Sequence, residues 1–251
     1  MDTVPDLVLE MKRLIEAAQQ QQIQLRAFGG LAIFVHSQID PRFFHRDSPD
    51  VDFVVPREQK HKLELFFESA GYVPNKRFNL LNGARRQIYY QEEAGRRVDI
   101  LVGDFEMCHK LPLDDQRFEV DPLTIPLAEL FLSKAQIVQL NRKDVLDIIS
   151  LLLNNDPGKD SEGKIGLDRI ALLCAQDWGL YKTVTLNLKH VEGVLAREDL
   201  NFTLDEKNLI LERLRQIRQA IEETPKSLSW QLRDKVGTRL RWYEEVEEVD
   251  R

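Results

Sequence analysis

Pro49-Asp50-Val51-Asp52-Phe53-Val54-Val55 is an apolar, strand-like run interrupted at two alternate positions by carboxylates. Successive strand side chains point to opposite faces, so Asp50 and Asp52 share one face while Val51 and Phe53 turn into a core. Two like charges side by side are unfavourable unless a cation offsets them, and oxygen-only ligands suit Mg²⁺. The dyad alone leaves two readings open: a metal site, or a solvent-facing Asp pair at the start of an edge strand, since DxD is a frequent tripeptide.

Working outward, Arg97-Val98-Asp99-Ile100-Leu101-Val102 sets one acid in a second apolar strand. If the two strands are neighbours, Asp99 completes the three-carboxylate cluster that two-metal phosphoryl transfer needs. Taken alone, Asp99 reads as a hydrogen-bonded strand-end acid and Asp104 as a turn residue. Upstream, Leu25 to Phe28 reads as a short strand, and Gly29-Gly30 as its junction with a helix carrying Leu31, Phe34 and Val35. Such a junction lets backbone N–H groups approach a phosphate, although a glycine pair also serves as a plain tight turn. Arg46 reaches the same anion or is a solvated loop charge.

A first helix is expected over 5–22 on Leu7, Leu9, Met11, Leu14 and Ile15, and another over Lys60 to Ala70, with Gly71 at its C-terminal cap. Strands at Gln87 to Gln91 and Arg97 to Val102 are joined by a hairpin turn, Glu92 to Gly95. From Leu127 onward the periodicity is helical, apart from a Gly- and Asp-rich loop, Asn154 to Gly166, which reads as a linker. The fold class is therefore α+β: a small mixed sheet flanked by helices over residues 1–153, then a helical region over 167–251.

The 251 residues, 43% of them hydrophobic, suffice for a core without staples. Cys108 and Cys174 have no CxxC or Cys/His spacing, so no disulfide framework or zinc site is suggested. No signal peptide or membrane span is read, and a cytoplasmic soluble protein is expected. The net charge of −7 argues against a generic DNA-coating protein.

Gly29-Gly30, a helix, Asp50-Val51-Asp52 and then Asp99 on a later strand resemble the DNA polymerase β-like nucleotidyltransferase superfamily. More narrowly, Phe28-Gly29-Gly30-Leu31-Ala32 with Arg46-Asp47-Ser48-Pro49-Asp50-Val51-Asp52 is similar to the GG-x-A and R-x-[ST]-x-D-x-D signatures of its AbiEii-type, toxin-like branch. The block from Lys134 to Asp147 resembles a third motif of that branch, with Arg142-Lys143-Asp144 spaced more tightly. The likeness covers residues 25–153. It implies a minimal nucleotidyltransferase fold, Mg²⁺ (or Mn²⁺) at Asp50 and Asp52, and NTP binding near Gly29, Gly30 and Lys134; Asp99 is expected as a further metal ligand, and Arg46, Ser48 and Asp144 as further nucleotide-binding residues. Where the wider superfamily has Gly-Ser this chain has Gly-Gly, so the missing hydroxyl is absent or comes from Ser37 or Ser48.

Read physically, Leu127, Leu130, Phe131, Ile137 and Val138 form a helical stripe with Lys134 on the same face, where a lysine must snorkel, pair or look into a cleft. Val145, Ile148, Ile149 and Leu152 are the buried face of the next helix, whose Asp144 and Asp147 read as first-turn acids or as site residues. Farther on, Leu209, Leu211, Leu214, Ile217 and Ile221 alternate with charge. Arg213, Arg215, Arg218, Lys226, Arg233, Lys235, Arg239 and Arg241, with Trp230, Trp242 and Tyr243, read as a solvated bundle face or an RNA-facing surface.

The expected function is transfer of a nucleoside monophosphate from an NTP to an acceptor hydroxyl, with Asp50, Asp52, Asp99 and Lys134 as catalytic residues. The acceptor is an RNA 3′ end such as that of tRNA, a protein hydroxyl or a small molecule. The toxin-like resemblance favours RNA and brings in a neutralising antitoxin protein as partner; the missing basic composition counts against RNA. The rival is a non-catalytic nucleotide-binding or interaction module, which retention of the three acids opposes because nothing else would hold like charges together.

Overall fold

The computed structural model describes residues 4–37, 50–197 and 200–245. The chain divides into two compact units, Met1–Phe105 with Pro112–Pro126, and Glu106–Leu111 with Leu127–Arg251.

In the first unit, α1 (Val4–Gln20) buries Leu7, Met11, Leu14, Ile15 and Ala18, a helical stripe that leaves the expected Leu9 exposed. Then come β1 (Arg26–Phe28), α2 (Gly29–Val35) and β2 (Asp50–Val55). A 3₁₀ turn, Arg57–Lys62, leads into α3 (Leu63–Ser69). After β3 (Val73–Pro74) and α4 (Lys76–Asn82), the hairpin strands β4 (Arg86–Gln91) and β5 (Arg96–Val102) follow. β6 (Phe105–Glu106) closes this stretch; Glu106–Leu111, with β7 (Lys110–Leu111), counts with the second unit, and α5 (Arg117–Val120) follows in the first.

The five-stranded sheet has the order β1-β2-β5-β4-β3, with β2 and β5 parallel and the other pairs antiparallel. Its two faces differ. Ala27, Val51, Phe53, Val55, Tyr89, Val98, Ile100 and Val102 are all buried on one of them. There the Phe67 ring of α3 stacks on Tyr89 at 4.5 Å between centroids. The alternate residues carry the charge: Arg26, Asp50, Asp52, Arg86, Arg97 and Asp99 share the opposite face, as the pairing register requires.

The second unit contains α6 (Leu127–Ala135), α7 (Arg142–Asn154), α8 (Leu167–Gln176), α9 (Trp178–Arg197), α10 (Leu204–Glu223) and α11 (Leu228–Val236). Helix α6 is buried almost all round and ends at Ala135, so Ile137 and Val138 are not part of a helical stripe. In α10 the buried positions are Ile210, Leu214, Ile217 and Ile221, whereas Leu209 and Leu211 are exposed. The loop between α7 and α8 carries a parallel pairing of β8 (Pro157–Gly158) with β9 (Ile165–Gly166), and both helices belong to this unit. No helix among the described residues is long and apolar enough to cross a membrane.

Candidate functional site

Parallel pairing sets Asp52 directly beside Asp99 and Asp50 beside Arg97. Period-2 alternation then puts Asp50, Asp52 and Asp99 on one face of adjacent strands. Asp50 and Asp52 are half-buried, and Asp99 is 5% exposed. Gly29, the first residue of α2, has φ +71°, and a Cβ built there would overlap Asp52 Oδ2 and stand 3.2 Å from its Cγ. The glycine thus makes room for a carboxylate of this face as well as supplying a left-handed turn.

Two cations that sequence reasoning did not assign occupy the same face. Arg86 Nε donates to Asp99 Oδ1 at 2.7 Å, its second nitrogen contacts Oδ2, and Arg97 donates to Oδ2 at 3.1 Å. The hydrogen bond with Asp99 raises the Arg86 pKa against the opposing effect of burial, and the charges of Asp52 and Asp50 add to the rise. Arg97 was legible as a same-face neighbour of Asp99. Arg86 needed the hairpin register, which pairs Ile88 with Asp99 and so makes Arg86 a diagonal neighbour. The like charges are therefore offset by the protein's own arginines, and the premise that nothing else would hold them together does not stand.

The donor chemistry of Asp50 and Asp52, hard oxygens two apart on a strand, fits a hard divalent cation. Asp99 fits one only if its guanidinium partners leave it. Consistently, among the described residues no group of three or more His, Cys, Asp or Glu side chains is gathered as a metal centre requires.

Lys134 and Asp144 belong to the second unit. The Lys134 ammonium lies 2.8 Å from both Asp144 Oδ1 and Asp147 Oδ2. Burial lowers its pKa, but the two carboxylates outweigh burial and the net shift is upward. The lysine is paired, and the acids are engaged with it; α7 is capped by Asn141, whose side chain accepts from the Asp144 N–H. Gly30 is buried in α2. Ser37 is wholly buried and donates to Ile33 O at 2.7 Å, so it is no substitute for a phosphate-binding hydroxyl. Arg46 and Ser48 lie outside the described residues.

The basic C-terminal stretch is largely engaged within its own unit. Arg213 donates to Leu152 O at 2.8 Å and Leu153 O at 3.1 Å and pairs with Asp156. Arg218 pairs with Glu192 at 2.6 Å, and Arg233 bonds Gly237 O at 2.6 Å while lying over the Trp178 ring. Trp230 and Trp242 donate to Cys174 O and Thr183 Oγ1 at 3.0 and 3.1 Å. These contacts suit a packed bundle face better than a nucleic-acid surface. Cys108 and Cys174 are both buried free thiols.

No family model and no curated protein matches the chain. Its structural neighbours among solved proteins include two nucleotidyltransferase-related chains. An antigenic nucleotidyltransferase-like protein from Paracoccidioides brasiliensis is 19% identical, with 71% of this chain and 92% of that chain covered and a TM-score of 0.36. A STING-associated CdnE c-di-GMP synthase from Capnocytophaga granulosa is 10% identical, with 87% and 81% covered and a TM-score of 0.31.

Proposed function

We propose that the chain is a nucleotidyltransferase whose charged sheet face handles the triphosphate of an NTP. The observation that carries this is the in-register placement of Asp52 beside Asp99, with Asp50 on the same face and Gly29 against Asp52. In the proposed reaction the acceptor oxygen bonds to the α-phosphorus, the bond from that phosphorus to the β-phosphate oxygen breaks, and pyrophosphate departs. Asp99 helps activate the acceptor hydroxyl, whose proton passes to solvent water. Asp50 and Asp52 would hold Mg²⁺, or Mn²⁺ in its place, which when bound supplies charge neutralisation for the triphosphate and the leaving pyrophosphate. The motifs quoted for the AbiEii-type branch support an RNA acceptor such as tRNA and an antitoxin partner; the internal engagement of Arg213, Arg218 and Arg233 counts against an RNA surface on those helices. For Lys134 and Asp144, a part in NTP binding requires their mutual ion pair to open.

The second reading, a non-catalytic nucleotide-binding module, is favoured by the two guanidinium groups on Asp99. The test is incubation with each α-³²P-labelled NTP, Mg²⁺ or Mn²⁺ and total RNA, beside an Asp50→Asn/Asp52→Asn variant and a no-RNA control. Label on RNA or on the protein that needs both aspartates supports the enzyme. Metal-dependent NTP binding without transfer to either, or to a panel of small hydroxylated compounds, supports the module.

A further inference from the structure

We propose that Arg86 is an exchangeable counter-ion: it closes Asp99 in the absence of nucleotide and moves to a phosphate of the incoming NTP, which opens Asp99. This rests on the nucleotidyltransferase reading above and assigns Arg86 as a phosphate-binding residue of the same site.

The geometry provides both halves of the exchange. Arg86 engages both Asp99 oxygens, so Asp99 can neither accept a proton readily nor ligate a cation while that fork is in place. The Arg86 side chain is 33% exposed and that of Asp99 8%, so the guanidinium has solvent to move into while the acid stays with its strand. Asp50 and Asp52 also act on Arg86 electrostatically, which places the cation within the field of all three acids. Lys134, the cation expected to hold the triphosphate, is already bound to two carboxylates.

The Asp99 side chain is nearly buried, so losing Arg86 leaves it short of positive charge even with Arg97 in place. Arg86 therefore leaves Asp99 only when both gain replacements: a phosphate for the guanidinium, whose planar fork matches phosphate oxygens, and a cation for the carboxylate. Arg97, held at 3.1 Å from Asp99 Oδ2, keeps Asp99 oriented during the exchange.

The test is Mn²⁺ binding, read from the free-ion paramagnetic resonance signal, with Mn²⁺ alone and with inorganic tripolyphosphate. Wild type is compared with Arg86→Gln, Arg86→Lys, Arg86→Gln/Asp99→Asn and Asp50→Asn/Asp52→Asn. Arg86→Gln is expected to bind Mn²⁺ alone about tenfold more tightly than wild type, and to lose most of the gain when Asp99→Asn is added. Tripolyphosphate should strengthen Mn²⁺ binding in wild type and much less in Arg86→Gln. Should Arg86→Gln melt early, Arg86→Lys, which keeps the charge and gives up the fork, is expected to move the same way by a smaller factor. Wild-type binding of Mn²⁺ and tripolyphosphate that needs Asp50 and Asp52, with Mn²⁺ affinity unchanged or weakened in folded Arg86 variants, overturns the exchange alone. No Mn²⁺ binding by wild type or any variant, with or without tripolyphosphate, overturns the nucleotidyltransferase reading beneath it.

Discussion

Asp52 occupies the space that a side chain on Gly29 would need. Gly29 has φ +71°, and a Cβ there would overlap Asp52 Oδ2 while standing 3.3 Å from Asp52 Cβ. The two residues come together because Phe28, just before the glycine, is the cross-strand partner of Asp52.

Gly29→Ala is accordingly expected to destabilise in two separable ways. The left-handed backbone costs about 1–2 kcal/mol for any residue with a Cβ, and the overlap with the carboxylate adds to it. In an Asp52→Ala background the overlap with Oδ2 is gone, leaving the backbone cost and a smaller one from the tight 3.3 Å approach to the surviving Cβ. A double-mutant cycle by denaturant unfolding should give a coupling of about 1 kcal/mol; additive effects would show that the carboxylate yields without cost.

Lys134→Met should destabilise by about 3–5 kcal/mol, because it leaves Asp144 and Asp147 buried without their cation. Adding Asp144→Asn and Asp147→Asn should restore most of the loss. The ammonium pKa is raised in the folded state, so this stabilisation is fully present below the ordinary lysine value and lost only as pH climbs through the elevated one. A lysine that served nucleotide binding alone would leave unfolding at neutral pH unchanged.

Alternation made β2 and β5 readable, and Glu92 to Gly95 marked their hairpin neighbour, so the shared face of Asp50 and Asp52 followed from period 2 alone. Helix α4 was not readable: it buries none of its residues, exposes Leu80 and Leu81, and is announced only by Asn75 capping the Phe78 N–H. The end of α6 was missed because Ile137 and Val138 continue its apolar composition past the last helical residue. Arg86 was missed because its pairing with Asp99 spans 13 residues and depends on register, which composition does not encode. That omission mattered most, since it removed the cation that the three acids were thought to lack.

Arg213 caps the carbonyl end of α7 through Leu152 and Leu153, so Arg213→Ala should cost about 1–3 kcal/mol in unfolding free energy. If the helical unit does not bind RNA through this stretch, Arg213→Ala/Arg218→Ala should leave the salt dependence of any RNA binding unchanged. A clear reduction in the slope of log affinity against log salt would return those side chains to a nucleic-acid role.

Glu10 gives the first unit an acid-sensitive contact. It is 7% exposed, pairs with Arg13 through two bonds of 2.7 Å, accepts from the Tyr72 hydroxyl at 2.8 Å and lies 3.6 Å from Arg96. Burial pushes its pKa up, but the hydrogen bonds from Arg13 and Tyr72, aided by the charges of Arg13 and Arg96, outweigh burial and leave it below the ordinary value of 4.5. A carboxylate with a depressed folded pKa contributes stability that is present above its unfolded value and lost as pH falls through the folded one. Denaturant unfolding followed between pH 3 and 7, about the ordinary carboxylate range, should therefore show wild type losing stability below that value. Glu10→Gln should begin less stable at neutral pH by about 1–3 kcal/mol and lose less on acidification, so the two curves converge. Tyr72→Phe, which removes one donor, should fall between them. Parallel acid limbs for wild type and Glu10→Gln would mean that the acid sensitivity arises elsewhere.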